Sequence, residues 1–293
     1  MKKCGYVTLF GRPNSGKSTL LNKLLNFNLS VVTHKAQTTR NKIAGVLTEN
    51  DYQIIFLDTP GFLDPKYELQ KFMLKEIHTS LEDTDVIVNL IDATTFDLNI
   101  QIDIFSRIRK LIGTKAYIPL LTKTDIFTED KISNFTSLYE KEFPGFGIIP
   151  VSALTGKNID VLKYAIIEKL PESEFLFDEE YLTDKPEKFF VSEIIRKNIL
   201  EQYREEIPYS VFVNVVEFKE REKGKMYIHA EIIVERESQK IIIIGKRGES
   251  LKKIGESSRV ETEKFLGKDI FLKLFVKVRK DWRNNSSFLK SNF

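Results

Sequence analysis

A single cysteine, Cys4, occurs in 293 residues, so no disulfide can close within the chain and a thiolate zinc site lacks ligands. The three histidines, His34, His78 and His229, are too far apart in sequence to suggest a histidine metal site. No apolar run approaches the ~20 residues that a membrane-spanning helix needs. The opening MKKCGYVTLFG runs straight into a strand-like segment without a signal-peptide cleavage pattern, which predicts a cytoplasmic protein. Internal repeats and low-complexity tracts are absent, and net charge is only +3.

What is present is size and a biased distribution of charge. A chain of this length exceeds what one hydrophobic core usually serves, so two domains are expected. Residues 1–185 hold 22 Lys+Arg against 25 Asp+Glu, whereas residues 186–293 hold 23 against 17. An anionic partner is therefore expected at the C-terminal part, ordinary solubilising charge being the alternative.

YVTLF (6–10) reads as a strand, GRPNSGKST as a glycine-rich loop and LLNKLLN as a helix. That order is the context a phosphate-binding loop requires, and Gly11, Arg12, Pro13, Asn14, Ser15, Gly16, Lys17, Ser18 and Thr19 supply it. Backbone N–H groups and the helix N-terminus face the phosphates, Lys17 reaches the β- and γ-phosphates, and the Ser18 hydroxyl suits Mg²⁺. YQIIFLDTPG ends a second strand in Asp58, Thr59, Pro60 and Gly61: a carboxylate for Mg²⁺ through water, then a glycine whose backbone can approach a γ-phosphate. The polar, Thr-rich stretch 34–45 has the character of a switch loop. Thr39 is the candidate second Mg²⁺ hydroxyl, with Thr38 the alternative on spacing.

Further strand-like runs, DVIVNLID, AYIPLLTKTD and IIPVSALTG, alternate with helical stretches and predict an α/β fold with a mostly parallel sheet and ligands at its carboxyl edge. Thr122, Lys123 and Asp125, with Ser152, Ala153 and Leu154, select guanine. Asp125 can accept from N1–H and the 2-amino group, donors that adenine lacks, while the Ala153 N–H can donate to O6. Lys123 lies along the base. These four motifs, in this order, resemble the translation-factor-related GTPases. Two positions depart from the commonest pattern. Thr122 replaces Asn, which predicts a lost brace on the loop and lower nucleotide affinity. Phe62 stands where Ras-like enzymes place a water-orienting glutamine. Asn14 is either a K⁺ ligand, as the resemblance to related bacterial GTPases implies, or a loop cap. Lys17, Thr39 and Asn14 are the candidate catalytic residues.

ESEFLFDEEYLTDKPEK (172–188) reads as a linker. Beyond it come an amphipathic helix, two strands joined through KEREKG, and IIIIGKRGESLKKIG. Read as helix, Gly-x-x-Gly turn and helix, the last stretch lets Gly245 and Gly248 press on a sugar-phosphate backbone beside Lys246 and Arg247. Ile242, Ile243, Leu251 and Ile254 would line an apolar groove for splayed bases. Lys252, Lys277, Arg279 and Lys280 add cations, and Trp282 either stacks on a base or anchors the terminus. Helix, two strands, helix, Gly-x-x-Gly, helix, strand is the order of a type II KH domain, an α+β fold smaller than the first domain.

The strings GRPNSGKSTLLNKLL, KAQTTRN, DTPGF, SEIIR, PYSV, IIGKRGESLKKIG and VKVRKDW resemble, across essentially the whole chain, the Era family of bacterial ribosome-assembly GTPases. The resemblance implies GTP/GDP and Mg²⁺ as ligands, K⁺ as a candidate activator, and binding to the 3′ end of 16S ribosomal RNA and the 30S subunit. It also implies peripheral contact with the inner face of the cell membrane and a monomer. The expected layout is a GTPase domain 1–171, the linker 172–188, a KH domain 189–285 and a frayed polar tail 286–293.

Overall fold

The computed structural model describes residues 2–35, 37–220 and 224–293. Ala36 of the Thr-rich loop and Arg221, Glu222 and Lys223 of the KEREKG connection lie outside the described residues. The chain forms two compact units, one made by the residues up to Pro65 with Gln70–Asp184, the other by Lys66–Leu69 with Lys185–Phe293.

In the first unit the elements run β1 (Lys3–Gly11), α1 (Lys17–Leu25), β2 (Ile43–Glu49), β3 (Tyr52–Asp58), α2 (Glu68–Glu82), β4 (Val86–Asp92), α3 (Leu98–Ile112), β5 (Ala116–Thr122), α4 (Glu129–Glu142), β6 (Ile149–Pro150) and α5 (Ile159–Lys169). The sheet order is β2-β3-β1-β4-β5-β6, with only β2 antiparallel to its neighbour. Strands covered on both faces read as continuous apolar runs instead of alternating ones. VIVNLI of β4 is buried throughout for that reason. β1 lies centrally, pairing with β3 on one side and β4 on the other, so connections diverge at its carboxyl end. A crevice opens at such a point.

Residues 172–184 of the expected linker 172–188 run along the first unit. Phe175 and Phe177 pack on the cluster of Cys4, Val46, Ile55 and Leu57. Buried Gln53 satisfies the segment's backbone: Oε1 accepts from the N–H groups of Leu176 (2.8 Å) and Phe177 (3.0 Å), and Nε2 donates to the Phe177 carbonyl (2.8 Å). Further along, Val46 N–H donates to the Leu182 carbonyl (2.8 Å), the Thr183 hydroxyl donates to the Ala44 carbonyl (2.7 Å), and Asp184 Oδ1 accepts from Ala44 N–H (3.0 Å).

The second unit contains α6 (Glu187–Gln202), α7 (Ile207–Ser210), β7 (Phe212–Lys219), β8 (Met226–Val234), α8 (Glu237–Ile244), α9 (Glu249–Leu266), β9 (Ile270–Val278) and α10 (Ser286–Asn292). β8 is central, antiparallel to β7 and parallel to β9. Ile228, Ala230, Ile232 and Val234 on β8 are fully buried, a period of two that turns one sheet face toward the helices. The four isoleucines 241–244 belong to a helix, as the Gly-x-x-Gly reading required and strand propensity did not.

The tail is ordered, contrary to the frayed end expected from its polar residues. Asn285 caps α10 by accepting from Phe288 N–H (2.8 Å), and Phe288 and Leu289 are buried. Trp282 is fully buried among Phe212, Phe288 and Phe293 and donates Nε1–H to the Ser210 carbonyl (3.0 Å). It anchors the terminus and cannot stack on a base.

Candidate nucleotide and nucleic-acid sites

The carboxyl ends of β1, β3 and β5 surround a cleft of about 500 Å³ whose lining includes Pro13, Asn14, Gly16, Lys17, Ser18, Thr19, Thr39, Gly61, Thr122, Lys123, Asp125, Ala153 and Leu154. The remaining predicted residues stand behind this lining or beside it. Thr59 is buried, its hydroxyl donating to the Leu9 carbonyl at 2.8 Å, and Pro60 is buried beside it. Their side chains are therefore structural instead of nucleotide-facing. Arg12 borders a second pocket with Pro13, Asn14 and Lys123.

Lys17 is 6% exposed and donates to the carbonyls of Gly11 (3.1 Å) and Arg12 (3.0 Å). Burial pulls its pKa down to about 8, a shift that the nearby Asp58 charge opposes. Burial likewise pushes Asp58 above the usual carboxylate range, against the pull of Lys17 and of the Ser18 hydroxyl. Ser18 Oγ donates to Asp58 Oδ2 at 2.7 Å and lies 2.9 Å from Thr39 Oγ1. Thr38 is engaged elsewhere, with Thr33 Oγ1 (2.6 Å) and the Lys35 carbonyl (2.7 Å), so Thr39 is the threonine that reaches Ser18. Asp58 Oδ1 is buried without a hydrogen-bond partner. Two hydroxyls beside a carboxylate with an unpartnered oxygen form a hard oxygen donor set, which fits Mg²⁺ completed by nucleotide and water.

Gly61 approaches the phosphate loop so closely that a Cβ there would lie 2.6 Å from the backbone of Pro13. Phe62 N–H donates to the Gly11 carbonyl at 2.9 Å, and its ring packs inward on Phe10, with centroids 5.2 Å apart. The ring is 5% exposed and plays no part in the cleft. Asn14 reaches across to the Thr-rich loop, its Nδ2 donating to the His34 carbonyl at 3.1 Å.

At the base-recognition end, Asp125 Oδ1 accepts from Ser152 Oγ at 2.6 Å. The brace expected to be lost with Asn is present: Thr122 Oγ1 donates to the Ser15 carbonyl at 2.8 Å, from a buried position. A hydroxyl reaches because β5 ends directly beneath the loop. Lys123 Nζ pairs with Asp92 Oδ2 at 2.6 Å. Asp92 belongs to none of the GTPase motifs; its only signal in the sequence is an acidic residue ending the strand-like DVIVNLID.

In the second unit, Gly245 has φ 72°, and a Cβ would lie 2.2 Å from Ser250 Oγ; Gly248 has φ 81° with nothing within 4 Å of a Cβ position. One glycine is packed and the other faces open space. Lys246 and Arg247 are exposed, as are Lys252, Lys277, Arg279 and Lys280. Lys277 pairs with Glu231, and the Arg279 guanidinium lies 4.3 Å from the Phe288 ring centroid. Ile242 is 48% exposed and Leu251 is partly buried, but Ile243 and Ile254 are fully buried core residues. The predicted groove thus loses these two, because both helices must turn one apolar face onto the sheet.

A phosphate loop on a mostly parallel sheet with a guanine-reading end, joined to a helix, Gly-x-x-Gly, helix unit on a three-stranded sheet, defines a P-loop GTPase fused to a KH domain. Family profiles agree: the 50S ribosome-binding GTPase profile matches residues 6–123 and the KH-domain profile residues 206–283. GTPase Era of Clostridium beijerinckii is 43% identical, covering 99% of this chain and 97% of that protein. GTPase Era of Thermoanaerobacter sp. is 41% identical, covering 98% and 95%. A crystal structure of a variant Aquifex aeolicus Era bound to GDP·AlF4⁻ superposes with a TM-score of 0.95 at 40% identity, covering 99% of this chain and 98% of the other. A structure of Era in complex with MgGDPNP and nucleotides 1506–1542 of 16S ribosomal RNA gives 0.96 at 40% identity, covering 100% and 99%. The chain belongs to the GTPase Era family.

Proposed function

We propose that this chain binds and hydrolyses GTP with Mg²⁺, and that nucleotide state governs its binding to the 3′ end of 16S ribosomal RNA during maturation of the 30S subunit in the cytoplasm. The observation that carries the GTPase part is the convergence of Ser18, Thr39 and Asp58 beside Lys17. Lys17 would leave the Gly11 and Arg12 carbonyls for the phosphates, where its ammonium would serve as a counterion. Mg²⁺ held by Ser18 and Thr39, with Asp58 behind them, would neutralise phosphate charge. Gly61, which lines the cleft beside the phosphate loop, would offer its N–H to the γ-phosphate. Catalysis of this kind is positional and electrostatic, which suits a site whose Phe62 cannot orient water. Asn14, already directed at the His34 carbonyl, would help to hold K⁺ near the transferring charge. The RNA part rests on Gly248, open and flanked by Lys246 and Arg247, and on the RNA in the related Era complex. The monomeric state and a peripheral membrane contact rest on the family resemblance; among the described residues no helix is long and apolar enough to cross a membrane.

The test is equilibrium binding of the full chain to a single-stranded oligonucleotide from the 16S 3′ end, with GTP analogue, GDP or no nucleotide. Tighter binding with the analogue is expected. Equal binding in all three states would refute nucleotide control, and no binding would refute the RNA reading. Single-turnover GTP hydrolysis in K⁺ against Na⁺ buffer tests the enzyme: faster turnover is expected in K⁺, and no turnover in either would leave an RNA-binding module with a structural nucleotide.

A further inference from the structure

We infer that Arg107, on α3, is a positioning residue for GTP hydrolysis that holds the segment following Asp58 against the phosphate loop; this rests on the GTPase reading above. The segment leaves the cleft as Gly61, Phe62, Leu63 and Asp64. Arg107 grips it on both sides of Leu63: its guanidinium carbon lies 4.6 Å from the Phe62 ring centroid, and Nη2 lies 2.8 Å from Asp64 Oδ1. Asp103, one turn earlier on α3, lies 3.5 Å from Nη1 and steadies the fork.

The ion pair alone would do little, because the Asp64 side chain is 82% exposed and solvent screens the attraction. The stacking half is stronger, since the ring it covers is almost wholly buried and cannot move without disturbing Phe10, Ile104 and Ile108. What the grip fixes is the backbone. Phe62 N–H is bonded to the Gly11 carbonyl, the same atom that accepts from Lys17 Nζ. Holding Phe62 therefore fixes Gly61 relative to Lys17, the two groups that flank a γ-phosphate. GDP has no γ-phosphate and does not draw on Gly61. Losing Arg107 should thus impair turnover and spare GDP affinity, whereas a merely stabilising contact would lower the melting temperature and leave turnover intact.

The experiment measures single-turnover kcat with Mg²⁺ and K⁺, GDP affinity and thermal midpoint on the full chain and its variants. Arg107→Ala should lower kcat about fivefold to tenfold while GDP affinity changes by less than about twofold. Arg107→Lys should lower it nearly as much, because an ammonium keeps only the solvent-screened pair with Asp64 and loses the planar stack on Phe62. Phe62→Leu, which fills the same apolar seat without a ring face, tests the stacking half separately and should also lower kcat. Unchanged kcat in Arg107→Ala and Phe62→Leu would overturn the inference, whatever the thermal midpoint does. So would a proportional fall of kcat and GDP affinity. An inactive wild-type chain would overturn the GTPase reading and this inference together; an active wild type with unaltered variants overturns the inference alone.

Discussion

Two glycine loops in this molecule each start a helix from a glycine in left-handed conformation, Gly16 before α1 and Gly248 before α9, yet they are built for opposite tasks. Around the phosphate loop everything converges: Lys17 is buried, Ser18 touches Thr39 and Asp58, Thr122 braces Ser15 and Phe62 ties in at Gly11. Around Gly248 nothing converges, and the neighbouring cations stand exposed. Enclosure suits a compact anion that must be gripped and chemically altered; an open turn suits a polymer whose backbone passes by. The same local motif thus suits either purpose, and the side chains packed around it make the difference.

The sharpest break between the two loops is Lys17→Ala. It should reduce GTP turnover by roughly 10²- to 10³-fold, as for other preorganised charge contacts, while RNA binding without nucleotide stays unchanged; a single-turnover assay beside an RNA titration decides it. Next in size is Gly245→Ala, where the new Cβ would meet Ser250 Oγ at 2.2 Å on a backbone with φ 72°. A loss of about 2–3 kcal/mol of stability is expected in urea unfolding. Gly248→Asp meets open space, so its stability cost should be only about 1 kcal/mol. RNA affinity should nevertheless fall at least about tenfold through charge repulsion, with a reduced salt dependence. Equal stability losses for the two glycine variants would erase the distinction between packed and open glycine. Thr122→Val, nearly isosteric, removes the only side-chain donor to the Ser15 carbonyl among the described residues. It should weaken nucleotide binding by about 1 kcal/mol in calorimetric titration.

A pH dependence of stability follows from the burial of Lys17. Unfolded Lys17 keeps its proton to about 10.5, and the nucleotide-free fold releases it near 8. Unfolding therefore takes up a proton between these values, and the Lys17 contribution to stability rises with pH across that window. Below it both states are protonated and the full burial cost applies. Urea unfolding on either side of pH 8 should show this rise, and Lys17→Met should abolish it.

The geometry of the first site is legible because its residue types are few and fixed in order: Asn14, Gly16 to Thr19, Gly61, Thr122, Lys123, Asp125, Ala153 and Leu154 line one cleft. What escaped depended on direction. IIII cannot reveal which isoleucines face inward, and a Gly-x-x-Gly groove reading includes Ile243 and Ile254 although both lie in the core. Acidic, aromatic composition suggested a linker at 172–188, but Phe175 and Phe177 found an apolar patch and Gln53 a backbone to satisfy. The brace by Thr122 depends on how near β5 passes under the loop, a distance absent from any residue pattern.

The docking of residues 182–184 on the start of β2 has a mechanical consequence. The Thr-rich loop that carries Thr39 feeds directly into Ile43 and Ala44, and Ala44 is clamped by Thr183 and Asp184. The next residue, Lys185, already belongs to the second unit. A displacement of the loop that shifted Ala44 would therefore pull at once on residues 183 and 184, some 140 positions further along the chain, as tension passes along a short cord.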